Sequence, residues 1–147
     1  MKRYISLLVL ALSVFPLLSS PAEAAERPLR LNGSGTVING VIQATGRASH
    51  LGLWSEVGTL SFSPDPNNPT RVLVTGDALF TAADGDELRG VIAEASLDLI
   101  TGIGTGTFSF EGGTGRFADA TGTAGFTVLQ NLATGTFEIS ALGSIDY

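Results

Sequence analysis

The chain alternates short segments rich in Val, Ile, Thr and Phe with turn-forming residues, and this pattern constrains its fold more than any other feature. Such segments, separated by Gly, Asp, Asn and Pro, are typical of β-sandwiches and β-barrels. The turn signals include three prolines in "SPDPNNPT", an Asp-Gly pair in "ADGD" that suits a type I′ hairpin, and the longer loop "NLATG". We predict eight strands, at residues 33–42, 45–54, 56–63, 70–81, 87–97, 103–111, 121–130 and 135–147.

Two of these strands have a clearly apolar face. In 70–81 that face carries Val72, Val74, Ala78 and Phe80, and in 135–147 it carries Phe137, Ile139, Ala141, Gly143, Ile145 and Tyr147. One apolar and one wetter face per strand suits a closed antiparallel sheet, and short connections favour a meander. The predicted fold is therefore an all-β, eight-stranded, up-and-down antiparallel barrel, wide enough for packed side chains or one small ligand.

The first 24 residues have the composition of a secretory signal peptide. Lys2 and Arg3 precede an apolar run, and "SSPAEAA" supplies the small residues that signal peptidase requires. We predict cleavage after Ala24, with Ala25 as the alternative, which leaves residues 25–147 as one barrel domain. The predicted location is secreted or periplasmic.

The predicted mature domain is acidic and has no cysteine. Of the 8 basic and 14 acidic residues of the chain, Lys2, Arg3 and Glu23 lie in the leader, which leaves six arginines, thirteen carboxylates and a net charge of −7. This charge argues against nucleic acid or an anionic membrane surface as a partner. A cationic partner or a neutral small molecule stays open, and stability must come from packing and sheet hydrogen bonds, without disulfides.

The glycine-rich segment "FEGGTGRFADATGT" invites two interpretations. A phosphate-binding loop would need a helix directly after the glycines, and "FADATGT" is too short for one. We favour a structural corner in which residues 118–120 form about one helical turn and Arg116 contacts carbonyls or a carboxylate, Asp119 or Glu111 being nearest. Its predicted corner residues are Gly112, Gly113, Gly115, Phe117 and Gly122.

Within that corner, "GGTGRFADATG" resembles the segment shared by allene oxide cyclases and dirigent-protein barrels, and by small exported bacterial proteins similar to them. "SHLG", "DGDEL" and "GSIDY" extend the resemblance over residues 33–147. It implies an eight-stranded antiparallel barrel, often trimeric in the plant members. The chemistry does not carry over: Ala118 replaces a basic residue, only Gly122 matches the Arg-Gly-Tyr triplet of dirigent proteins, and the pocket cysteine of the plant cyclases is absent.

The segment "SHLGLWSE" contains the only histidine of the chain. Strict alternation would place His50, Trp54 and Glu56 on one face, where they could bind an aromatic ligand or transfer a proton. We favour the opposite orientation, with Leu51, Leu53 and Val57 directed inward, and with His50 and Trp54 outside or in a subunit contact, because the aliphatic residues are the stronger core signal.

Other candidate groups are few. Glu94 lies in "VIAEASL" and would have a raised pKa if it pointed into the barrel, but an outward position is favoured because unpaired Glu is rarely buried. Asp84, Asp86 and Glu87 form an acidic turn without the pattern of a calcium loop. We predict no metal site and no cofactor, since one histidine and no cysteine offer too few ligands for a zinc-type site.

Three functions remain open. The favoured one is a non-catalytic exported barrel that binds a small apolar molecule or acts as a surface module. The second is a cyclase-like or dirigent-like enzyme, with Glu94 and His50 as weak catalytic candidates, and the third is a small outer-membrane barrel. A homodimer or homotrimer stays open. The predicted ligand-binding residues are His50, Trp54, Glu56, Phe80, Glu94, Arg116, Phe137 and Tyr147.

Overall fold

A computed structural model describes residues 25–147, so the predicted signal peptide lies outside the described residues. These residues form eight strands and one short 3₁₀ helix. The strands are β1 (Arg27–Ile38), β2 (Val41–Ala48), β3 (Gly52–Pro64), β4 (Arg71–Thr81), β5 (Glu87–Asp98), β6 (Ile103–Gly113), β7 (Thr121–Gln130) and β8 (Thr136–Asp146), and the 3₁₀ helix spans Gly115–Phe117.

The eight strands form one closed antiparallel barrel. Each strand is hydrogen-bonded to the next one along the chain, and β8 pairs with β1, from Arg27 opposite Ile145 to Thr36 opposite Thr136. The predicted all-β, eight-stranded antiparallel barrel is therefore confirmed. Within residues 25–147, no helix is long and apolar enough to span a membrane.

The predicted bounds of the first three strands were wrong. A tight turn at Asn39 and Gly40 interrupts the predicted strand 33–42, and both residues have positive φ, 53° and 78°. These are the dihedrals of a type I′ hairpin, for which Asn-Gly is the preferred pair. A second turn, at residues 49–51, interrupts the predicted strand 45–54. The Asn-Gly signal was in the sequence, and the predicted strand ran through it.

The Asp-Gly pair that was predicted to form a type I′ turn belongs to a longer connection. Only Gly85 has a positive φ, 93°, and a type I′ turn requires a positive φ at both central residues. The backbone N–H of Ala82 donates to the carbonyl of Asp86 at 2.8 Å, which closes a loop between β4 and β5. The hairpin was predicted correctly, and its turn type was not.

Large aromatic side chains fill the middle of the barrel. Phe80 is fully buried and contacts Trp54, Phe108 and Phe110 edge to face, with centroids 5.4–6.4 Å apart. A Cβ added at Gly46 on β2 would lie 2.7 Å from Cζ2 of Trp54. The glycines of β1 and β2 therefore leave the space that the indole ring occupies.

The glycine-rich corner between β6 and β7 closes one end of the barrel. Phe117 has no exposed surface, and Gly112, Gly115 and Gly122 have φ values of 79°, 54° and 139°. The structural interpretation of this segment agrees with these observations, with two corrections. Gly112, Gly113 and Gly115 were all expected to leave β6 with positive φ, but Gly113 does not have one. The helical turn lies at Gly115–Phe117, before the predicted residues 118–120.

Arg116 stabilises this end, but its partners differ from those predicted. Its guanidinium contacts Oδ2 of Asp84 at 2.8 Å and donates to the backbone carbonyl of His50 at 2.7 Å. Neither Asp119 nor Glu111 is its partner. Arg116 therefore joins the corner to two other turns at the same end of the barrel, which sequence proximity alone does not indicate.

Candidate functional site

The orientation of β3 determines the site. Trp54 and Glu56 point into the barrel and are buried, whereas Leu53 and Val57 are exposed. The orientation that we favoured from the sequence, with Leu53 and Val57 directed inward, was therefore wrong. Leu51 is buried, but it lies in the turn before β3, so its burial says nothing about the faces of the strand.

The glycines opposite explain this orientation. The inward positions of β1 and β2 next to Trp54 are Gly33 and Gly46, and a side chain at either would overlap the indole. The two glycines on β1 and β2 thus leave room for the large side chain of Trp54 on β3. This layer of the barrel is therefore filled without overlap between side chains. Two aliphatic side chains, Leu53 and Val57, remain on the outer surface as a consequence.

A cavity opens at the end of the barrel opposite Phe117. This end carries the β1–β2, β3–β4, β5–β6 and β7–β8 connections. The space that the centre of a water-sized sphere can reach is about 70 Å³, several times what one buried water requires. The lining is mostly aliphatic and aromatic, and consists of Val37, Ile42, Glu56, Leu60, Phe62, Val74, Ile92, Ala95, Ser96, Leu97, Gly104, Phe108, Phe126, Val128, Gln130, Phe137 and Ile139.

Glu56 is the one charged residue in this lining. It is 3% exposed, and no hydrogen-bond partner for its Oε2 lies among residues 25–147. Its neighbours across the ladder are Ala44 on β2 and Phe80 on β4, both apolar. Burial raises the pKa of the Glu56 carboxyl from its ordinary 4.5 to about 7, because a carboxylate loses its hydration there.

Trp54 lies in the layer next to Glu56, toward the closed end. Its indole N–H is buried and has no hydrogen-bond acceptor within the described part of the chain. Buried polar atoms are nearly always hydrogen-bonded in folded proteins, so two such atoms on one strand face are unusual. The inner face of β3 therefore offers one donor and one acceptor without partners inside a mostly apolar barrel.

Exposed apolar side chains surround the mouth of the cavity. Of the twelve large apolar side chains exposed among residues 25–147, nine lie at this end, near the ends of strands or in the connections between them. We call this set the apolar collar: Ile38, Val41, Phe62, Leu73, Leu99, Ile100, Ile103, Leu129 and Leu132. Of these nine residues, Phe62 is also part of the cavity lining.

The structure separates the predicted ligand-binding residues into two groups. Trp54, Glu56, Phe80 and Phe137 point into the barrel, and of these Glu56 and Phe137 line the cavity. The other four are not in the lining. His50 is half-buried in the turn before β3 and has a φ of 71°. Its Nε2 lies 3.0 Å from the carbonyl of Pro28, so it does not share a strand face with Trp54.

Arg116 and Tyr147 also lie away from the cavity, at the closed end. The Tyr147 ring packs edge to face on Phe117, with centroids 4.9 Å apart, and the Arg27 guanidinium lies 4.3 Å from the Tyr147 centroid. These contacts connect the segment that follows β8 to the corner. Neither residue is placed to contact a molecule in the cavity.

Glu94 points outward because β5 contains a bulge. Ala93 pairs with Thr107 and Ser96 with Thr105, so Glu94 and Ala95 together oppose one residue of β6. The extra residue shifts the alternation, so that Ile92 and Ala95 are both buried. Glu94 adopts a φ of 51° and is exposed. As a catalytic candidate inside the barrel it was wrong, and the outward position favoured from the sequence agrees with its exposure.

The acidic turn at residues 84–87 is engaged with the corner. Asp84 contacts the Arg116 guanidinium, and the Asp86 carboxylate accepts a hydrogen bond from the Arg116 backbone N–H at 3.1 Å. Within residues 25–147, no group of three or more His, Asp or Glu side chains is arranged to hold a metal ion.

Most of the cavity lining was not predicted from the sequence. Phe108 on β6 and Phe126 on β7 form its aromatic wall, with centroids 4.7 Å apart, and Gln130 is the inward residue at the end of β7. A signal existed, since Phe108 alternates with Gly104, Gly106 and Phe110.

Comparisons of the chain with protein-family models, curated proteins and solved structures found no match.

Proposed function

We propose that this protein binds a small, largely apolar molecule inside the barrel. The observation that carries the proposal is the cavity itself, with aliphatic and aromatic walls and a single buried carboxyl, that of Glu56. Apolar walls with a few placed polar groups are what small-molecule sites usually have. The apolar collar supports the same proposal, because exposed apolar side chains are concentrated at the end of the barrel where the cavity opens.

The distribution of polarity favours this function over an outer-membrane barrel. Apart from Glu56, Ser96 and Gln130, the cavity lining is apolar. Many outward positions are polar, as in β4 with Arg71, Thr75 and Asp77. Barrels that span membranes have the opposite alternation, with apolar residues facing the lipid. Because the sequence also predicts a signal peptide, we propose that the protein is a secreted or periplasmic binding protein. We further propose that its fold is of the allene oxide cyclase type.

Native mass spectrometry of the mature protein, purified from the exported fraction of its host, tests this function. We expect a reproducible small added mass that dissociates on activation. Val128 lines the cavity and Leu129, the next residue of β7, faces outward. Val128→Trp should abolish the added mass by filling the cavity, and the matched control Leu129→Trp should retain it. A protein that stays bare when offered lipid extracts would contradict the proposal.

A second function, a cyclase-like or dirigent-like enzyme, is supported by one observation. The raised pKa of Glu56, about 7, is suited to a general acid or base near neutral pH. This proposal moves the catalytic role from Glu94 and His50 to Glu56. Turnover of a captured ligand by the wild type, lost in Glu56→Gln with ligand binding retained, would favour the enzyme over the binding protein.

A further inference from the structure

We propose that the ligand is a small apolar amine, bound as its ammonium cation with the charged nitrogen against Glu56. This inference rests on the proposed function, because it assigns the chemical class of the molecule that the cavity takes. It concerns the head group of the ligand, while the apolar walls determine the rest of it.

Glu56 lacks a partner inside the barrel. Its Oε2 is buried without a hydrogen-bond partner among the described residues, and no other charged side chain lines the cavity. The ionised form of a buried carboxyl is stabilised by a paired charge and by hydrogen bonds, and without them the group takes up a proton instead. An ammonium group supplies both, since it brings a compensating charge and three N–H donors.

The cavity lining contains no basic residue. The described chain has six arginines and no lysine, and all six lie outside the cavity lining. A ligand with a carboxylate or phosphate head group would meet the Glu56 carboxyl and no cation. Two like charges in contact repel each other strongly in a site of low dielectric constant, so anionic head groups are disfavoured.

Aromatic residues in the lining and the negative charge of the whole domain both favour a cationic head group. Phe108, Phe126 and Phe137 are in the lining, and aromatic faces attract cations. The net charge of −7 on residues 25–147 raises the concentration of cations near the protein. A neutral alcohol could donate to Glu56, but it would gain from neither effect.

Binding of matched probes tests the inference. Octylamine, 1-octanol and octanoic acid share a hydrocarbon chain and differ in head group. Calorimetry measures the three affinities, and native mass spectrometry of each mixture is the second method. Well above pH 7 we expect octylamine to bind at least about tenfold more tightly than 1-octanol, which corresponds to 1.4 kcal/mol. Octanoic acid should bind most weakly.

Variants assign the preference to Glu56. Glu56→Gln, which has nearly the same shape, should bind octylamine and 1-octanol with similar affinity. Glu56→Asp, which keeps the charge, should retain part of the preference. The control Glu111→Gln removes an exposed carboxylate on β6 and should behave as the wild type.

The outcomes separate the two proposals. If the wild type binds octylamine and 1-octanol equally, or if Glu56→Gln keeps the preference for the amine, the amine inference is wrong and the proposed binding function stands. If none of the three probes binds and the protein from the host carries no added mass, the binding function itself is wrong.

Discussion

Trp54 and Glu56 lie two residues apart on the inner face of β3, and each has a buried polar atom without a partner in the described chain. Consecutive inward positions of a strand are about 7 Å apart. The indole and the carboxyl therefore lie in adjacent layers of side chains inside the barrel. Around them the barrel is apolar. This relationship is the reason that we place the chemistry of the site on β3, and Glu56 is its most testable residue.

The first prediction concerns the dependence of stability on pH. The pKa of Glu56 is about 7 in the folded protein and about 4.5 when unfolded, so the folded state holds more protons between these values. The contribution of Glu56 to stability should be full below about pH 4.5, should fall by about 3 kcal/mol as pH rises through 7, and should level off above about pH 8. Urea unfolding at a series of pH values measures this change.

Glu56→Gln is the control for that prediction. It cannot ionise, so its free energy of unfolding should vary little between pH 4.5 and 7, and it should exceed that of the wild type above pH 7. Backbone N–H groups of Asn67 and Thr101 lower the pKa values of Asp65 and Asp98 from 3.8, so these groups act at lower pH. Equal slopes in wild type and variant would show that Glu56 is not a desolvated carboxyl.

The second prediction concerns the space that glycine leaves for Trp54. A Cβ at Gly46 would lie 2.7 Å from Cζ2 of Trp54 and closer still to the Asn32 carbonyl oxygen. Gly46→Ala should therefore destabilise the barrel by about 1–3 kcal/mol, the usual effect of overpacking. Thermal unfolding measures the change, and Trp54 fluorescence should show a displaced ring.

The matched control for Gly46 is Gly125 on β7. The nearest atom to its added Cβ is the Leu142 carbonyl oxygen at 4.0 Å, and its φ is not positive. Gly125→Ala should stabilise the protein by about 0.5 kcal/mol, because alanine loses less backbone entropy on folding. If both substitutions have the same effect, the glycines of β1 and β2 are not shaped around the indole.

The third prediction compares the two ends of the barrel. Phe117 is fully buried under the corner, whereas Phe62 at the mouth is 45% exposed. Phe117→Ala should cost about 3–5 kcal/mol of stability, as expected for a buried Phe, and Phe62→Ala less than about 1 kcal/mol. Denaturant titration measures both. A small loss from Phe117→Ala would contradict its role as the plug of the closed end.

The fold could be predicted from the sequence more fully than the site. Turn residues and alternation, as in β8, were enough for strand number and closure. The orientation of β3 was not predictable from its own residues, because it depends on Gly33 and Gly46 on neighbouring strands. The bulge at Glu94 likewise shifts the alternation of β5 without a local signal. Both features decide which side chains face the cavity, so the site residues could not follow from strand patterns alone.

The last prediction concerns that bulge. Glu94 is one of three non-glycine residues with a positive φ in residues 25–147, and this conformation costs roughly 1–2 kcal/mol in an L-residue. Glu94→Gly should remove that cost, and after the added entropy of glycine in the unfolded chain the net gain should be about 0.5 kcal/mol. The same substitution at Glu138, an exposed position within β8, should lose about 1 kcal/mol. Urea midpoints measure both, and opposite signs are the expected result because only Glu94 occupies the left-handed region. Ligand affinity should not change in Glu94→Gly, since this carboxylate lies outside the barrel; a weaker ligand complex would return Glu94 to the candidate site.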